Sequence, residues 1–193
     1  MPDAIATDLF PNPWLDQTEN VYALSFATTS VSSVILFDVF HHLEYPGAAL
    51  QEIHRVLRPG GRLVLFEPGL GFLGRTALPL FHHESLGLGQ EIAWTPPGGW
   101  HPNEAKYYAA QGNAWRIFMR GEHKEDILTC WAIKTCRPIV GLRWMMTGGF
   151  RGPLLANRFT LPPAQFLEKL MSLTPQWFAA RLLVVLEKPT ESR

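Results

Sequence analysis

The sequence predicts an α/β fold in which an open, mostly parallel sheet carries helices on both faces. Three observations predict it. The stretch VILFDVFHHLEYPGAALQEIHRVLRPGGRLVLFEP, residues 34–68, reads strand, acidic turn, helix, glycine turn, strand. Its first strand, 33–38, is continuously apolar rather than alternating, as in strands covered on both sides. Acids at Asp8, Asp38 and Glu67 end apolar runs, and open sheets of this kind place ligands beyond the carboxyl ends of their strands.

Each element follows from local chemistry. Residues 4–7 form a short apolar run, read as a strand. Pro11 and Pro13 then remove donors and restrict their predecessors. NVYALSF, from Asn20, reads as a weak second strand or extended edge, and TTSVSS as a polar turn. Residues 48–57 read as a helix because Leu50, Ile53 and Leu57 share a face. RPGG ends that helix, and the strand 63–66 follows as a right-handed parallel crossover.

Beyond Pro68 the pattern loosens. Residues 69–147 read as a variable lid or substrate region within a single domain spanning 1–193, a helical and loop insertion after the strand ending at Glu67. A helix is expected over 103–119, a solvated turn at GEHKED, a strand within 132–144 and a loop at TGGFRGP. Residues 161–173, with prolines in the first turn and a Phe166, Leu167, Leu170 stripe, predict a late helix. ARLLVVLEKP predicts a last strand.

Composition limits the function. Of 193 residues, 47% are hydrophobic, which suits one domain with a sizeable core. Formal net charge is zero, with no long basic run, so nucleic acid is not an expected partner. Two cysteines make no disulfide scaffold and suit a reducing, cytoplasmic setting. No apolar run is long enough to cross a bilayer, and no membrane partner is expected.

The motifs ATDLFPNPWLD, NVYALSF, FDVFHHL, RVLRPGGRLVLFEP and LLVVLEKP resemble the class I S-adenosylmethionine-dependent methyltransferases of the small-molecule type, clearly over 4–68 and less sharply over 162–189. The resemblance implies a Rossmann-like core and methyl transfer from S-adenosylmethionine to a small-molecule acceptor. It implies cofactor contacts from Asp8 to the ribose hydroxyls, from Asn20 near the adenine, and from Asp38 and Val39 beside the methionine portion. It puts Glu67 near the substrate entrance and His41 in a position to act as base or to touch substrate. One departure stands out. The family's first strand and its glycine-rich cofactor loop have no counterpart before Asp8, so the domain reads as truncated at its N-terminus. The flanking strands then pair directly, another segment fills the gap, or a homodimer or completing partner chain does.

Trp94, Trp100, Tyr108 and Trp115 are the material for an aromatic acceptor wall, with core packing as their ordinary alternative. His41 and His42 are adjacent, and adjacent side chains usually point different ways, so no metal site is expected there or at His82, His83 and Glu84. The alternative to an enzyme is a catalytically inactive, cofactor-less structural or interaction protein. The arrangement that would carry the enzyme reading is Asp8, Asp38 and Glu67 along one rim.

Overall fold

The computed structural model describes residues 4–148 and 153–190. Its main sheet has four strands: β3 (Val31–Phe37), β4 (Leu57–Pro68), β5 (Ala132–Ile139) and β6 (Arg181–Glu187), in the order β3-β4-β6-β5. β3 and β4 pair in parallel, and β6 runs antiparallel to both β4 and β5. Three strands therefore share one direction and β6 alone is reversed. The fold is mixed α/β with a mostly parallel central sheet and helices, as expected.

The crossover between β3 and β4 is α1 (Pro46–Val56). Pro46 opens it, where a missing N–H costs nothing. Ala49, Leu50, Ile53 and Val56 are buried, and they join Leu36, Leu63, Leu65, Leu182 and Leu186 in the core on one sheet face. Each such aliphatic side chain contributes about 1.5–3 kcal/mol by leaving water. The opposite face carries Ile35, Phe37, Phe66 and Arg181. Ile35 and Phe37 are 63% and 62% exposed. β3 forms an edge of the sheet, with β4 its only strand partner among the described residues.

RPGG does not end the helix by a turn outside the sheet. Leu57 already belongs to β4, and the extra residues around Gly60, at φ +75°, appear as a register shift between Val31 and Ser33 in β3.

The N-terminal segment differs from its prediction. β1 (Thr7–Asp8) and β2 (Gln17–Thr18) form a separate two-residue parallel pair outside the main sheet. NVYALSF is not a strand. Its backbone is tied along α1: Glu52 accepts from the Leu24 N–H, and Arg55 donates to the carbonyls of Leu24 and Phe26. Side-chain bonds to a helix replace the sheet partner that an edge strand would need.

The region 69–147 holds α2 (Phe72–Phe81), α3 (Asn113–Phe118), α4 (Lys124–Cys130) and α5 (Leu142–Met146), together with β5, a strand of the main sheet. The helix expected over 103–119 shrinks to α3 and a separate 3-10 turn at Pro102–Glu104. GEHKED is not only a turn, because α4 begins at Lys124. α6 (Leu161–Met171), α7 (Pro175–Phe178) and β6 close the chain. The glycine loop expected at 147–153 falls mostly on 149–152, outside the described residues. Cys136 is half-buried and Cys130 exposed, both as free thiols. No helix among the described residues is long and apolar enough to cross a membrane.

Candidate functional site

At the carboxyl end of β3 the chain turns sharply. Asp38 takes φ +55°, a left-handed conformation that aspartate tolerates better than most residues, and its N–H donates to the Phe66 carbonyl on β4 at 3.0 Å. Val39, Phe40 and His41 then coil into a 3-10 turn whose N–H groups face one acceptor. That acceptor is Glu67 at the end of β4. Its carboxylate accepts from Val39 N at 3.0 Å, Phe40 N at 2.8 Å and His41 N at 3.3 Å, and lies 2.7 Å from His41 Nδ1. Glu67 is fully buried.

A carboxylate oxygen of Asp38 lies within 4.8 Å of ligand atoms of both His41 and Glu67. The guanidinium of Arg181 lies 2.6 Å from the Asp38 carboxylate and stacks on Phe66 at 4.4 Å and on Trp144 at 5.1 Å. Burial pushes the Asp38 carboxyl up; the Arg181 charge opposes this and does not cancel it.

A second carboxylate, Glu84, gathers the histidines. His41 Nε2 lies 3.6 Å from it, His42 Nε2 3.8 Å and His82 Nδ1 3.6 Å. The Tyr107 hydroxyl donates to it at 2.7 Å, and the Gln111 amide donates to its other oxygen. Burial pushes Glu84 up, but the Tyr107 hydroxyl, His42, the Gln111 amide and His82 outweigh it and hold the group below the usual carboxylate range.

His82 also lines an apolar cavity of about 160 Å³ between α2 and α5, with Leu78, Phe81, Trp144, Met145 and Leu155. The cavity therefore touches both polar groups. His82 links it to Glu84, and Trp144 links it to the Arg181–Asp38 pair.

Of the residues singled out from sequence, the structure brings Asp38, Val39, His41 and Glu67 together. Asp8 does not join them. It is exposed on the separate β1–β2 pair, and its Oδ1 accepts from the Phe10 N–H two residues on. The expectation of three acids on one rim thus holds for two, because β1 is not a strand of the main sheet. Asn20 uses both ends of its amide within the chain, donating to the Pro102 carbonyl and accepting from Tyr22 N.

The aromatic residues do not form one wall. Trp115 is a core residue, 6% exposed. Trp100 sits edge-on to Tyr22 and Tyr45, and Trp94 stacks on His123 at 4.5 Å. Trp94 also closes over Gly47, where any Cβ would lie 2.6 Å from it, so α1 needs glycine there. Tyr108 is half-buried; its hydroxyl accepts from Asn113 and its carbonyl meets His42. Sequence reasoning missed Glu84 as the hub, and it missed Arg181. The placement of HHE after a glycine-punctuated segment was the only available signal for Glu84. The arginine opening the last strand was the signal for Arg181.

The groups assigned to S-adenosylmethionine by resemblance do not make a cradle for it in this chain alone. The Val39 N–H is taken by Glu67, Asp38 by Arg181 and both ends of Asn20 by backbone. Asp8 keeps an exposed carboxylate but stands outside the main sheet.

Residues 4–65 match a family model described as a methyltransferase domain. No curated protein is significantly similar to the chain in sequence. Among solved structures, an S-adenosylmethionine-dependent methyltransferase from Methanosarcina mazei is 17% identical with a TM-score of 0.46, over 91% of this chain and 67% of that one. A putative methyltransferase solved in complex with the Haloferax volcanii Trm112 methyltransferase activator is 15% identical with a TM-score of 0.47, over 92% of this chain and 62% of that one. A putative methyltransferase from Bacillus halodurans is 13% identical with a TM-score of 0.47, over 97% and 82%.

Proposed function

We propose that this chain is a methyltransferase-type domain in which the acceptor side of the site is built and the cofactor side is not. Transfer of a methyl group from S-adenosylmethionine to a small, largely apolar acceptor then depends on further strands that complete the sheet beyond β3. Alone, the protein folds and takes the acceptor without the cofactor.

The observation that carries the methyltransferase part is the β3–α1–β4 crossover. All but its last residues lie in the matched segment, and its strand ends bring Asp38 and Glu67 side by side. The acceptor class follows from the cavity, whose walls are Leu, Phe, Trp and Met with polar groups only at its margins.

The test has two arms. Titration of the isolated chain with S-adenosylhomocysteine should give no saturable heat up to millimolar concentration. An apolar fluorescent probe should bind in the cavity and be displaced by A77W, which fills it. A saturable micromolar heat that disappears in D8A would overturn the claim that the cofactor side is unbuilt. Failure of the probe to bind would remove the acceptor side.

The second reading, a cofactor-less interaction protein, is favoured by one feature: the polar groups at the strand ends are consumed within the chain. Light scattering and a labelled-methyl assay separate the two. An assembly along β3 that stays inert toward labelled cofactor decides for the second.

A further inference from the structure

We propose that His41, His42 and Glu84 form a binding site for a divalent transition metal of the zinc class. The inference stands apart from methyl transfer and does not need it.

Tautomers come first. His42 Nδ1 lies 3.0 Å from the Tyr108 carbonyl, which can only accept, so Nδ1 carries the proton. His41 Nδ1 lies 2.7 Å from Glu67 Oε2, again an acceptor. Each ring therefore leaves its Nε2 to hold either a proton or a metal. These two nitrogens face the Glu84 carboxylate at 3.6 Å and 3.8 Å. A cation between Nε2 and the carboxylate, whether a proton or a metal, satisfies both groups.

Spacing comes second. The ring centroids are 4.1 Å apart, and the three ligand atoms lie within 4.8 Å of one another. Around a tetrahedral zinc with bonds of about 2.0 Å, ligand atoms stand about 3.3 Å apart. The two nitrogen–carboxylate distances need only a few tenths of an ångström of closure, and the nitrogen–nitrogen separation, within 4.8 Å, needs at most about 1.5 Å. The adjacent rings are drawn to one side by their anchors, the Glu67 carboxylate on His41 Nδ1 and the Tyr108 carbonyl on His42 Nδ1.

The outer partners fit as well. A metal-bound histidine usually donates its other nitrogen to a carboxylate or a backbone carbonyl, and Glu67 and the Tyr108 carbonyl take those places. Tyr107 and Gln111 donate to the oxygens of Glu84 and fix its orientation. His41 is 2% exposed, and the Glu84 side chain is 7% exposed, so the carboxylate is well withdrawn from bulk water. Two imidazoles and one carboxylate select zinc, cobalt or nickel over magnesium or calcium.

The experiment titrates the chelator-treated full chain with zinc and, separately, with cobalt. One equivalent should bind, raise the melting temperature and, for cobalt, give the intense visible absorption of a tetrahedral site. H42A and E84Q should each weaken binding by more than the about 10- to 100-fold that follows loss of an outer partner. Y107F, which removes an outer partner, should weaken it by about 10- to 100-fold. Circular dichroism of each variant without metal checks that it is folded. His42 is half-buried and Tyr107 is 76% exposed, so H42A and Y107F provide readouts even if E84Q unfolds. No stoichiometric binding by the folded wild type, or equal binding by wild type and H42A, would overturn the assignment. In that case a proton on Nε2, visible by nitrogen NMR, occupies the place given to the metal.

Discussion

Replacing Glu67 by glutamine tests the claim that this carboxylate, placed near the substrate entrance by resemblance, organises the turn. The carboxylate accepts three backbone N–H groups and faces His41 Nδ1 at 2.7 Å, with no exposure to water. Glutamine keeps one acceptor oxygen, enough for Val39 and Phe40, but turns an NH2 toward His41, which offers donors on that side. A hydrogen bond to a charged group contributes about 1.5–3 kcal/mol, and removing one partner of a buried pair costs about 3–5 kcal/mol. E67Q should therefore lose about 3–5 kcal/mol, a large part of the stability of a domain this size. E67A should lose more, because it orphans every donor at once. Urea unfolding measures the difference from the shift of the midpoint at constant slope. A loss below about 1 kcal/mol for E67Q would refute the reasoning: the N–H groups would have to find water or other partners, and Glu67 would be available to a ligand after all.

Arg181 and Asp38 give an unequal pair. R181M removes a buried, stacked guanidinium and leaves the half-buried Asp38 carboxyl without its cation, and should cost about 3–5 kcal/mol, whereas D38N leaves the guanidinium stacked on Phe66 and Trp144 and bonded to the Phe66 carbonyl and should cost less, by the same unfolding measurement. His54 is held below the ordinary histidine value by burial and by the Lys188 charge. The unfolded chain therefore binds its proton first on acidification. Its share of stability is complete above the unfolded value of about 6.5 and falls as pH drops toward the folded value. Proton NMR should place its titration below that of an unfolded-chain histidine, and H54Q should flatten the pH dependence of stability there. I35K, on an exposed position of the edge strand, should change stability by no more than about 0.5 kcal/mol and dissociate any assembly built along β3, as read by light scattering.

Much of the fold was legible because apolar continuity and turn chemistry agree. The run 33–38 and the periodicity of Leu50 and Ile53 together produce β3, α1 and β4, but the continuity of the run did not mean cover on both sides: Leu36 is buried while Ile35 and Phe37 are exposed. ARLLVVLEKP was equally plain as β6, although its reversed direction depends on β4 and β5, which no local pattern encodes. The N-terminal strands were misread for a physical reason. A short apolar run is compatible with an edge strand, but NVYALSF finds its hydrogen bonds on Glu52 and Arg55 of α1 instead. With that segment against the helix, Asp8 is left on an exposed two-residue pair.

The histidines show how a local rule fails at a special conformation. Divergence of neighbouring side chains assumes a strand or a regular helix. The left-handed Asp38 and the three N–H groups gathered by Glu67 make the chain neither, and the anchors on the two Nδ1 atoms turn the rings to the same side. Glu67 lies 26 residues from His41 and Glu84 lies 42 residues from His42, so the geometry is set by tertiary pairing of β3 with β4 and by the loop before α3. The same fact links stability to the site. The carboxylate that holds the turn also fixes the tautomer of His41, so E67Q should weaken metal binding and folding together, while Y107F should touch metal binding alone. A variant series in which the two losses always scale would mean that the cluster is only a structural clasp. Separation of the two by Y107F would mean that the clasp was built around a ligand.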